Sequence, residues 1–128
     1  MKYILATVLS LTTLGVLLFL IIPSGNTPTS AGDGKNVTLT DGVQTIDLAA
    51  KGGFSPNKTV AKAGVPTTLK VATNGTLDCS STLLIPSMHI SEQMQPTGTD
   101  SIDLGSPAAG TLQGTCGMGM YKFEIDFQ

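Results

Sequence analysis

TCGMGMYKFEIDF, residues 115–127, sets a sulfur-rich turn directly against a strand. In its second half Tyr121, Phe123, Ile125 and Phe127 fall on one side, and Lys122, Glu124 and Asp126 on the other. Successive side chains leave an extended backbone on opposite faces, so this period-two pattern predicts a β-strand with one buried face. In the first half Cys116, Met118 and Met120 are spaced two apart by Gly117 and Gly119. If that segment is extended, all three sulfurs leave from one face. If the glycines let it curl, two of them can be aimed at one point.

Upstream, short segments of the same kind follow one another with turn residues between them. VQTIDLA (43–49) places Gln44, Ile46 and Leu48 on one face and Val43, Thr45 and Asp47 on the other. KGGFSP (51–56) reads as a turn carrying one aromatic, and KTVAKAG (58–64) as a strand ending at Gly64. PTTLKVATN (66–74) alternates through Leu69 and Val71, and LDCSSTLLIP (77–86) leads into a long connection through Pro96. TDSIDLG (99–105) and GTLQGTC (110–116) complete the set. Seven or so short strands with frequent turn signals predict an all-β, antiparallel Greek-key sandwich.

The chain has 128 residues with a formal net charge of -2, and its seven basic residues are all lysines, dispersed along the sequence. Nucleic-acid binding needs clustered cations, so that class is excluded. Only 12% of residues are charged, which suits a β domain better than a helical bundle.

At the N-terminus, Tyr3 to Ile22 runs without a charge for about 20 residues, enough to span a bilayer as a helix. Residues 1–22 are therefore expected to be a transmembrane anchor, with a cleaved signal peptide as the alternative. Lys2 favours leaving the N-terminus in the cytoplasm and the rest of the chain outside it. Pro, Gly, Ser and Asn dominate the segment that follows, so 23–40 reads as a flexible tether and 41–128 as the globular domain.

Cys79 and Cys116 are the only cysteines. Thiolate and thioether are soft donors, and the extracytoplasmic metal they select is copper, above all Cu(I). Two cysteines in an oxidising compartment also pair readily, and a bridge between them stays open as a reading. A methionine beside a strand is commonly core filler.

The order of the parts resembles the cupredoxin-like domains associated with bacterial copper and iron transport proteins. The resemblance runs from Gly53, Phe54 and Pro56 through Ala63, Gly64, Pro66, Thr73 and Asn74 to Cys79, Ser80, Ile85 and Pro86. It ends in Pro107, Gly110 and Cys116-Gly117-Met118-Gly119-Met120, so that it covers residues 43–128. It implies a cupredoxin sandwich with a copper site near one end, held by Cys79, Cys116 and one or both of Met118 and Met120. In blue-copper relatives two histidines join the cysteine, but Cys79 stands where the first would be and none follows Cys116. That departure favours Cu(I) binding or handover over electron transfer, which is kept as an alternative.

His89, the only histidine, lies on the long connection near Met88 and Met94, and is either a further ligand or an exposed loop residue. Asp78 reads as a turn residue. Carboxylates are scattered, and neither a nucleophile–base set nor a phosphate loop is seen, so an enzyme is not expected. The expected partners are the membrane and a copper-transport, iron-transport or oxidase-assembly protein.

Overall fold

The structure, a computed structural model, describes residues 35–128. The expected transmembrane helix or signal peptide at 1–22 and most of the expected tether lie outside the described residues. The strands are β1 (Val37–Thr40), β2 (Val43–Ala50), β3 (Phe54–Ser55), β4 (Lys58–Ala61) and β5 (Thr67–Asn74). They continue with β6 (Thr82–Ile85), β7 (Ile90–Gln93), β8 (Thr97–Asp103), β9 (Gly110–Cys116) and β10 (Lys122–Phe127). Two five-stranded sheets result, one ordered β1-β2-β5-β8 with β3 beside β2, the other β4-β10-β9-β6-β7.

The alternating segments bury the faces expected of them. On β2, Gln44, Ile46, Leu48 and Ala50 point inward. Thr67, Leu69, Val71 and Thr73 do so on β5, and Phe123, Ile125 and Phe127 on β10. These faces form one core in which the rings of Phe54 and Phe123 meet edge to face, with centroids 5.0 Å apart. Such a pair adds about 0.5–1.5 kcal/mol beyond the area it buries. Phe123 fits because the residue opposite it on β9 is Gly114, whose place it overlies.

The fold departs from the sequence expectation in three respects. The pairing is not purely antiparallel, since β2 runs parallel to β5 and β4 parallel to β10. The chain leaves the first sheet after β3, crosses to the second as β4 and returns as β5, so β2 and β5 are neighbours in space without being neighbours in sequence. The first sheet begins inside the span expected to be tether, because Val37–Thr40 pairs with β2 and Val37 is buried in the core. The connection between Ile85 and Pro96 also contains a strand, β7, antiparallel to β6.

Candidate metal centre

Cys116 closes β9 opposite Leu83 of β6, while Cys79 opens a short 3-10 turn, Cys79–Ser81, that runs straight into β6. The pairing of β6 with β9 therefore carries two thiols 37 residues apart in sequence to the same end of one sheet. Their Cα atoms are 5.5 Å apart and the sulfurs are joined as a disulfide. The bridge is the alternative that the sequence left open; the positions of the two residues at one pole are common to both readings.

Asp78 fixes the Cys79 turn from its N-terminal side. Its carboxylate accepts the Ser80 backbone N–H at 2.8 Å and the Ser80 hydroxyl, and the other oxygen accepts the Gly52 N–H at 2.9 Å. The Ser80 hydroxyl, followed by the backbone donors of Ser80 and Gly52, holds the Asp78 carboxyl below its ordinary value of 3.8. The β2–β3 turn is thus tied to the cysteine turn. It is also tied to the sulfur hairpin, because the Tyr121 ring lies over Gly53, 3.4 Å from where a Cβ would stand.

The Gly117–Tyr121 segment curls back on itself. Cys116 N–H donates to Tyr121 O and Gly119 N–H to Cys116 O, both at 2.9 Å, with Gly119 at φ +73°. A β-branched or bulky residue would not hold that conformation. The curl directs two backbone donors at the sulfurs: Met118 N–H reaches Cys79 Sγ at 3.2 Å and Tyr121 N–H reaches Cys116 Sγ at 3.4 Å. The side chains of Met118 and Met120 are turned out, 79% and 66% exposed. Exposed methionines on a folded pole are not core filler.

His89 is placed elsewhere. It caps the turn Pro86–Met88 at the far end of β6 from Cys79, with φ 55° and an exposed side chain. Pro86 and Ser87 of that turn lie beside Thr111 and Gln113, toward the start of β9. Met94 returns along β7 to the cysteine end, where its N–H bonds Ser81 O, but its side chain is buried in the core. Met88 packs against the same core. Among the described residues no three of His, Cys, Asp and Glu converge, so a metal site at this pole needs thioether donors.

Sequence reasoning did not find the two backbone donors or the Gly52–Asp78 tie. Backbone N–H groups carry no sequence signature beyond the glycines that let them turn.

The fold and the sulfur pole define a cupredoxin-like protein. A family model described as the cupredoxin-like domain matches residues 11–125, and the chain belongs to that family. Among solved structures it is similar to the metal-binding domain of the Streptococcus pneumoniae Cu(I)-exporting P-type ATPase CopA, solved with Cu(I). The identity there is 22% and the TM-score 0.65, covering 72% of this chain and 92% of that one. A copper-binding protein solved in its apo form matches at 20% identity and TM-score 0.68, covering 74% and 97%. A chain of a heme-copper terminal oxidase dimer matches at 14% identity and TM-score 0.51, covering 99% and 97%. At these identities the likeness is one of fold. Comparison with curated proteins finds no match.

Proposed function

We propose that this protein is a membrane-anchored, extracytoplasmic Cu(I)-binding domain whose site is the Cys79–Cys116 pole with Met118 and Met120. The observation that carries the reading is the convergence of the two cysteine sulfurs beneath a curled hairpin that exposes two thioethers. In the reduced state the pole offers two thiolates, each already facing a backbone N–H, with two exposed soft donors at the rim. Bound there, copper would supply a cargo ion in its reduced state. The protein residues hold it, shield it on the core side and leave it accessible from solvent for handover. Cu(I) named for one of the similar structures, and copper for the other two, belong to those proteins and support the same chemistry here. The uncharged run from Tyr3 to Ile22 supports the anchor, and a disulfide supports an oxidising compartment. The partner we infer is another copper-carrying protein of the same compartment, in transport or oxidase assembly. The role is binding and transfer of an ion, without catalysis.

The test is a competition titration of the fully reduced chain with Cu(I) against a chelator. Binding tighter than about 1 μM, lost in Cys79→Ser and in Cys116→Ser, is expected; affinity weaker than that contradicts the reading. The bridge itself favours a second reading, an anchored interaction domain stapled by a disulfide. Thiol counting on protein isolated without reductant separates the two: no free thiols together with no copper uptake after reduction supports the staple.

A further inference from the structure

The two bridged cysteines differ in their access to solvent. Cys116 is 0% exposed, whereas Cys79 keeps partial exposure at the start of its turn, two residues after Leu77, which is 83% exposed. Thiol–disulfide exchange needs the attacking sulfur to approach along the axis of the bond it breaks, so access to one sulfur decides which bond forms.

We propose that the bridge is opened and closed from the Cys79 side alone, by exchange with an external dithiol. In the first step a thiolate of the reductant bonds to Cys79 Sγ, the Cys79–Cys116 bond breaks, and its electron pair leaves on Cys116 Sγ. In the second step the other thiol of the reductant, deprotonated, attacks its own partner sulfur in the mixed disulfide. The electron pair passes to Cys79 Sγ. The reductant ends as a disulfide, having lost two electrons and two protons; the chain gains both and ends with two thiols.

The pole is built for that leaving group. Tyr121 N–H already points at Cys116 Sγ, so the negative charge left inside the sandwich meets a donor at once. Hydrogen bonds to a charged acceptor are roughly twice as strong as those to a neutral one. Met118 N–H does the same for Cys79 Sγ when the second step frees it. A single monothiol molecule can make only the first step. The Cys116 thiolate, held within bonding reach by β9, then attacks Cys79 and restores the bridge. The geometry thus favours dithiols as productive reductants, because their second thiol competes with that reclosure without a second encounter. This step needs no copper, and it supplies the reduced pair on which Cu(I) binding rests.

The test uses the full-length oxidised chain with metal chelated throughout and glutathione as the monothiol probe. The reaction is quenched with acid after short times, free thiols are alkylated, and the adduct is mapped by peptide mass. Glutathione on Cys79 with alkylated Cys116, in at least about tenfold excess over the reverse, is expected. Adduct on Cys116, an even split, or a bridge that reacts only after unfolding in denaturant overturns the proposal. A second measurement compares single-cysteine variants with an aromatic disulfide reagent. Cys79 in Cys116→Ser should react about tenfold faster than Cys116 in Cys79→Ser, and equal or reversed rates count against it. Because metal is absent, failure here leaves Cu(I) binding untouched, and failure of Cu(I) binding leaves the direction of exchange standing.

Discussion

Gly114 shows how one missing side chain can set a core. A Cβ there would stand 2.1 Å from Phe123 Cζ, a separation that the buried ring cannot relieve without leaving Phe54. Gly114→Ala should therefore destabilise the domain by about 2–3 kcal/mol in urea unfolding. Adding Phe123→Leu should recover part of that loss, because the two changes share one cause; strict additivity would argue against the clash. Asp78 acts through charge. Its carboxyl is lowered by donors present only in the folded chain, so its contribution is complete above 3.8 and fades as pH falls through the lower folded value. The native protein should lose stability more steeply than Asp78→Asn below about pH 4, and the two curves should run parallel above it. At this scale much was legible in the sequence. Alternation put Gln44 on the inner face of β2. It did not show that Gln44 is fully satisfied there, its amide bonding Lys62 O and Thr67 Oγ1 while its carbonyl accepts Lys62 N–H. Those partners come from the segment around the β4–β5 connection, brought up only by the tertiary fold.

Elements were readable where both faces of a strand are chemically distinct. β2, β5 and β10 each expose one polar side, so their period is visible. β7 hides no residue fully and so has no alternation to read, while β1 alternates, Val37 and Leu39 inward against Thr38 and Thr40, but over only four residues. Parallel pairing was illegible for another reason: β2 meets β5 through a crossover by way of the other sheet, which local sequence does not encode. The β9–β10 hairpin was half legible. Its glycines allowed either an extended run or a curl, and the structure shows the curl, but whether the sulfurs would bond or remain apart depends on where β6 delivers Cys79. Gly119→Val should disrupt the hairpin more than Gly117→Ala, since the first forbids φ +73° and the second only crowds Thr82 Cβ at 3.2 Å. Amide exchange at Met118 and Tyr121 would report it, rising sharply in Gly119→Val and modestly in Gly117→Ala.

For the whole molecule, the bridge joins the connection after β5 to the last hairpin and closes a loop of 37 residues. By loop-closure entropy, reduction without metal should cost about 3–4 kcal/mol of unfolding free energy. Cu(I) bound to the reduced pair should return stability in proportion to the logarithm of free Cu(I) over its Kd, raising the urea midpoint as copper is added. A staple with no metal role would show the loss without the recovery. On the proposed reading the sandwich is a frame that holds one sulfur pole in two chemical states. The most direct measurement of that claim is X-ray absorption at the copper edge on the reduced, Cu(I)-loaded chain and on its His89→Ala variant. A first shell of sulfur alone, unchanged by the substitution, is the predicted result. Nitrogen or oxygen in that shell, or a spectrum altered by losing His89, would contradict it.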